Sequence, residues 1–222
     1  MSHDQETTIA DVLRGRMATY QFLSRLFRVE VDQELYDTLM SMRFPANTGN
    51  ALVDEGYRMI CGYLSQADGT VLTELAVDYV RAFIGSGNDG FSAAYPYESV
   101  YTSEGGLMMQ DAYAEVLHVY RGAGFAKNPG FKEPEDHLAV ELAFMALLCG
   151  RAVEALRAGD EAGAERQLRA QREFLSDHLL NWIDRFTSDV RKAAEDGFYF
   201  DLATFTEDFL TADAAELAEV LG

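Results

Sequence analysis

EPEDHLAVELAFMALLCGRAVEALR, residues 133–157, reads as one long helix with a marked start. Pro134 fits a first helical turn, where a missing N–H costs nothing. Glu133, Glu135 and Asp136 favour the positive end of the helix dipole, so Asp136 is expected to stay ionised. Behind them Leu138, Leu142, Met145, Leu148 and Cys149 make a buried set, and the helix is expected to reach about Arg157. Gly159-Asp160 then breaks it. The span from Leu142 to Cys149 is the longest strongly apolar, charge-free run in the chain, far short of the ~20 residues that cross a bilayer.

On either side of this segment almost everything reads as helix. Ala and Leu dominate, Ile is scarce, and no sustained apolar–polar alternation or hairpin signal occurs. Towards the N-terminus, Ile9, Leu13, Met17, Tyr20, Leu23 and Phe27 recur at three- and four-residue steps, predicting a helix over 8–27. Asp32 is a plausible cap for a short helix over 33–42. Pro45, Asn47 and Gly49 follow as breakers, then a helix over 51–66 ended by Asp68-Gly69. The next carries Leu72, Leu75, Val77, Tyr79, Val80 and Phe83, whose mixed spacing predicts burial on more than one face. Further helices are expected over 107–121 and 161–185. In the second, Phe174, His178, Trp182 and Phe186 repeat every fourth residue. Residues 197–222 read as two helices, the second opened by a capping-box-like Asp213 and Glu216. The expected architecture is all-α, a single compact domain over 1–222, in one body or in two lobes joined near residues 85–106.

Composition narrows the function. The 222 residues are 48% hydrophobic and 25% charged, with a net charge of −19 from 18 Lys+Arg against 37 Asp+Glu. Such a balance excludes the basic footprint that nucleic acid demands and disfavours anionic membrane surfaces. Neither Cys61 nor Cys149 belongs to a CxxC pair, so both are expected as buried thiols in a reducing cytoplasm. Asp4, Glu6 and Asp11 stand where a signal peptide would be basic and then apolar, which again predicts a cytoplasmic protein.

Chemistry-bearing motifs are few. No nucleophile elbow, P-loop or dinucleotide fingerprint occurs. A di-iron bundle needs two Glu-x-x-His pairs, and only Glu115–His118 qualifies. Neither a metal site, a cofactor nor catalysis is expected. More distinctive is GSGNDGFSAAYPYESVYTSEGG, residues 85–106. Its glycines and Pro96 exclude a long helix, yet Phe91, Tyr95, Tyr97 and Tyr101 are too aromatic for a solvated linker. A functional loop and an aromatic-anchored lid on the core both fit. No Lys or Arg lies between Arg81 and Arg121, whereas Asp89, Glu98, Glu104, Asp111 and Glu115 do. The loop is thus acidic without local compensation, either as a solvated face or as a groove for a segment basic at one end and apolar beyond.

Glu133-Pro134-Glu135-Asp136-His137, with Glu141-Leu142 behind it, resembles the E-P-x-D-H signature of the TorD/DmsD (NarJ-like) chaperones, which mature bacterial molybdoenzymes. Pro96-Tyr97-Glu98-Ser99-Val100-Tyr101 resembles the family's Pro-aromatic-(Glu/Gly)-Ser-Val-aromatic motif. Tyr79-Val80-Arg81-Ala82-Phe83 is similar to its aromatic-x-x-Leu-Phe motif, with Ala82 in place of Leu. Tyr97 stands where many members carry Trp, and both departures bear on partner identity. The 20–27 stretch and Phe174, His178, Trp182 and Phe198-Tyr199 also fit, so the likeness covers nearly the whole chain.

The resemblance implies an all-helical cytoplasmic chaperone without turnover. Its partners would be the twin-arginine signal peptide and the apo-catalytic subunit of a molybdopterin-containing reductase, held until cofactor insertion is complete. It implies a monomer or a domain-swapped homodimer. Carried over by position, Tyr20, Tyr79, Phe83, Pro96, Tyr97, Asp136 and His137 are the candidate peptide-binding residues. Tyr101 would help to grip the apolar part, while Glu98 and Glu104 join Asp136 in favouring the arginines. His137 fits either ligand contact or a neutral tie between helix and loop. Two other classes stay open: an assembly factor for another metalloprotein, and a metal-dependent enzyme.

Overall fold

The computed structural model describes residues 8–42, 44, 47–66, 69–85, 93–194 and 196–222. Asp4, Glu6, Pro45, Asp68, Asp89 and Phe91, named above, lie outside them. Thr8 opens helix α1 (Ile9–Arg28) with a reciprocal cap, its hydroxyl accepting the Asp11 N–H at 3.2 Å and its own N–H reaching the Asp11 carboxylate at 3.3 Å. Asp32 caps α2 (Gln33–Ser41) as expected, accepting the Leu35 N–H at 2.8 Å. Then come α3 (Ala51–Gln66), α4 (Val71–Tyr79), α5 (Glu98–Thr102), α6 (Asp111–Gly122), α7 (Leu138–Arg157), α8 (Glu161–Phe174), α9 (Ile183–Ala194) and α10 (Phe198–Leu221). Wider π turns continue α4 over Val80–Ile84 and α8 over Leu175–Leu179. No β-strand occurs among the described residues, and none of their helices is long and apolar enough to cross a membrane.

Helix α7 is the centre of the molecule. It buries twelve residues, Leu138 to Val153, and runs antiparallel to α1. Ser24 donates to the Ala139 carbonyl at 2.7 Å near one end of the pair, and Leu13 packs with Ala152 and Val153 near the other. On the far side α10 packs against α3 and α9. Gly56 permits the first of these contacts, because a Cβ there would fall 2.0 Å from the Phe205 ring. Residues on both sides of 85–106 share one hydrophobic core, from Tyr20 to Leu217.

Several boundaries differ from the sequence reading, each for a local reason. Pro134 and its acids lie in a turn before α7, because His137 is the cap: its Nδ1 accepts the Ala139 N–H at 3.0 Å. Helix α6 starts at Asp111, not 107, since Met109 takes a left-handed φ of 57° and leaves 107–110 exposed. The 161–185 helix is broken by its π turn and resumes as α9 to Ala194. The C-terminal region is one helix. Asp213 cannot cap a second one, because its buried carboxylate is taken by Arg16 (Nη2 to Oδ2, 2.8 Å) and by the Tyr20 hydroxyl (2.7 Å). Cys149 is buried and Cys61 half-buried, both as free thiols, and burial pushes Cys149 up to about 12.

Candidate functional site

The two most distinctive motifs of the sequence meet. Tyr97 and His137 form an isolated antiparallel bridge. Around it the Glu98 N–H donates to the Asp136 carbonyl and the Leu138 N–H to the Pro96 carbonyl, each at 2.9 Å. Asp136 also accepts from the Ser99 N–H at 3.1 Å and from the Ser99 hydroxyl. Residues 96–99 are thereby clamped on the N-terminus of α7. Gly85 makes the approach to this segment possible: its φ is 55°, and a Cβ there would lie 2.8 Å from that of Ala93.

His137 is sandwiched edge-on by Tyr97 (ring centroids 5.1 Å apart) and Phe131 (5.0 Å). Burial, with a smaller push from Lys127, drops its pKa to about 3, so the ring is neutral and serves as cap and wedge. The Tyr97 hydroxyl donates to Glu133 at 2.5 Å, and burial followed by that bond raises its pKa. Asp136 is pushed up by burial, which the two Ser99 donors oppose, so the helix N-terminus is not the dominant influence expected for it.

Glu98 points inward and is 1% exposed. It meets His178 Nδ1 at 3.1 Å and accepts from Asn181 at 2.9 Å. Beside it Glu141 accepts from the Trp182 indole at 3.3 Å, and its pKa rises through burial and then through Glu98 and Asp136. Arg185 reaches this segment from α9, donating to the Tyr101 carbonyl.

An aromatic cluster adjoins the clamp. Tyr101 stacks on Trp182 at 5.5 Å and meets Phe186 at 6.0 Å. Phe186 stacks on Phe83 (6.3 Å), which meets Tyr79 at 5.1 Å. Of the candidate residues, Pro96, Tyr97, Glu98, Asp136 and His137 thus form one locked unit, with Tyr79, Phe83 and Tyr101 beside it. Tyr20 stands apart, fully buried against Phe209 and bonded to Asp213. Glu104 is exposed in the loop after α5. Phe83, Pro96, Tyr97 and His137 are buried: Tyr97 and His137 pack on each other, and Phe83 packs on Tyr79, Phe186 and Tyr199.

Solvent meets other residues. Val77 (52% exposed), Val80 (45%) and Ile84 (56%), three and four residues apart, form an uncovered apolar row on α4 and its π turn. Mixed spacing had predicted burial for Val77 and Val80; spacing alone does not tell which apolar residues find a neighbour. Val77 also borders a hollow of about 440 Å³ that carries Glu74, Asp78 and Asp196 beside Tyr63. Arg81 lines it too, 3.3 Å from Asp78. Among the described residues, no group of three or more His, Cys, Asp or Glu side chains could hold a metal.

Fold and interlocked motifs agree with comparison to known proteins. The chain belongs to the nitrate reductase delta subunit family, whose model matches residues 50–188. It is 35% identical over 144 residues to the chaperone protein TorD of Photobacterium profundum, covering 65% of this chain and 64% of that protein. The match therefore spans just under two thirds of that relative's length. Over 214 residues it is 28% identical to the chaperone protein TorD of Vibrio parahaemolyticus, covering 91% and 94%. A crystal structure described as a putative redox enzyme maturation protein from Archaeoglobus fulgidus shares the fold, with TM-score 0.51, 21% identity and coverage of 91% and 93%.

Proposed function

We propose that this chain is a cytoplasmic redox-enzyme maturation chaperone. It binds the twin-arginine signal peptide and the apo-catalytic subunit of a molybdopterin-containing reductase, and holds them until cofactor insertion is complete. It acts by binding, without turnover. The observation that carries this reading is the uncovered Val77–Val80–Ile84 row running from the acidic hollow of Glu74, Asp78 and Asp196. A twin-arginine signal has the complementary order, basic and then apolar.

Magnitudes assign the roles. Fully burying a Val- or Ile-sized side chain stabilises a complex by ~1.5–3 kcal/mol, whereas an exposed Arg–carboxylate pair contributes ~0.2–1 kcal/mol. The apolar row therefore supplies the grip, and the acids supply orientation and a preference for guanidinium, whose fork matches carboxylates. Tyr79 and Tyr101, both half-buried, extend the contact surface. Pro96, Tyr97, Glu98, Asp136 and His137 hold the loop that flanks it, and Tyr20 and Phe83 support from the core.

A calorimetric titration of the full chain against a synthetic leader, Arg-Arg followed by an apolar stretch, tests the reading with a Lys-Lys peptide as control. Micromolar binding, weakened for Lys-Lys, is expected. Absence of binding to any such leader would overturn it in favour of an assembly factor that recognises a folded metalloprotein.

A further inference from the structure

A second hollow, of about 400 Å³, opens among α6, α7, α8 and the π turn that continues α8, and shares no residue with the apolar row. Phe144, Leu148 and Phe174 form its apolar wall, and Phe174 packs on His178 with ring centroids 4.8 Å apart. His178 also lines the hollow, with only 8% of its side chain exposed and its Nδ1 taken by Glu98 at 3.1 Å. In a neutral ring the hydrogen then sits on Nδ1, facing the carboxylate. Nε2 is left as an acceptor that no described residue partners. At the other end Gln167 lines the hollow, and its Oε1 is buried and equally unpartnered. Glu173 and Asp177, both exposed, lie between and beside these two and enter no salt bridge among the described residues. Arg151 is the one Lys or Arg lining the hollow, and its Nη1 is held by the Ala123 carbonyl at 2.8 Å. Solvent serves the two exposed carboxylates, but it does not account for the buried Gln167 oxygen.

We infer that this hollow binds a linear polyamine lying along α8, one cationic end on His178 and Asp177, the other on Gln167, and its methylenes against the apolar wall. Spacing selects a two-ended ligand. From Gln167 to His178 the helix rises on the order of 15 Å, at about 1.5 Å per residue, so one compact ammonium group cannot meet both acceptors. Glu173, between the ends, balances the charge of an inner nitrogen. The volume falls within the ~300–1,000 Å³ of small-molecule sites. A net charge of −19 draws a polycation towards the chain at long range, and the row of acceptors then selects its shape.

The test is calorimetric titration of the full chain with spermidine at low ionic strength and about pH 8, above the ordinary histidine range. Butylammonium, with one cationic end, and hexaamminecobalt(III), a compact ion of the same charge as spermidine, are the comparison ligands. Saturable one-to-one binding of spermidine is expected, at least about tenfold tighter than that of butylammonium (about 1.4 kcal/mol). Asp177→Asn and Gln167→Leu should each weaken it roughly fivefold, as loss of one such contact does. Glu165→Gln, the same loss of charge on α8 outside the hollow, should leave it unchanged. Spermidine should also shift the imidazole NMR resonances of His178 in the parent, a readout that needs no variant, whereas hexaamminecobalt(III) should not. Absence of saturable binding, unmoved His178 resonances, or equal affinity in parent and hollow variants would overturn the site. Equal affinity for butylammonium, or an equal His178 shift with hexaamminecobalt(III), would overturn the two-ended ligand.

Discussion

His137 carries its ring neutral through burial, with a folded-state pKa of about 3 against an ordinary 6.5. Between those values the unfolded chain binds more protons than the folded one, so stability is lost as pH falls from about 6.5 towards 3. One such group gives a slope of up to ~1.4 kcal/mol per pH unit. His137→Asn keeps an acceptor at the cap and cannot titrate. Thermal melts of this variant between pH 6.5 and 4 are expected to decline less steeply than the parent's. Glu141 has the opposite sign. Its folded pKa lies above the ordinary 4.5, so the folded state keeps a proton that the unfolded state releases, and stability is lost as pH rises through that window. Asp136, raised by burial, adds in the same direction. Glu141→Gln removes the proton requirement while leaving an acceptor for Trp182, so its Tm should fall less than the parent's as pH rises above 4.5.

Helices show what sequence can and cannot tell. The stripe of α1 from Leu13 to Phe27 and the cap at Asp32 were legible because their causes are local, within four residues, although Ile9, read as the start of that buried stripe, is exposed in the first turn. Asp213 was misread for the converse reason. Its spacing to Glu216 mimics a cap, but its partners Arg16 and Tyr20 lie 197 and 193 residues away. Likewise, the mutual support of 96–99 and 136–138 is a pairing between distant segments, and periodicity carries no sign of it. The Asp213 knot ties α10 to α1 in the interior. Asp213→Asn leaves Arg16 buried beside a neutral partner and is expected to cost about 3–5 kcal/mol in denaturant unfolding, as breaking a buried ion pair does. Tyr20→Phe removes one hydrogen bond to the same carboxylate and should cost about 1.5–3 kcal/mol. Equal and small effects of the two would show that the knot does not tie these helices.

Across the whole molecule, composition and motif order were sufficient for the helical class and the family, whereas the distribution of solvent-facing groups needed coordinates. Most of the candidate residues named from motifs are buried. Exposed on the same stretch as Tyr79 and Phe83 are Val77, Val80 and Ile84, which the sequence left indistinguishable from core. On the proposed function, buried motif residues shape and hold, and the exposed row grips. Substituting the row should therefore separate binding from folding, since surface changes away from the core shift stability by about 0.5 kcal/mol or less. The most direct measurement is calorimetric titration of the Val80→Asp, Ile84→Asp double variant beside the parent, with the Arg-Arg leader as ligand. A grip by this row predicts an unchanged Tm and at least about tenfold weaker binding, because two apolar contacts of ~1.5–3 kcal/mol each are lost. Equal affinity in parent and variant, with both folded, would contradict it.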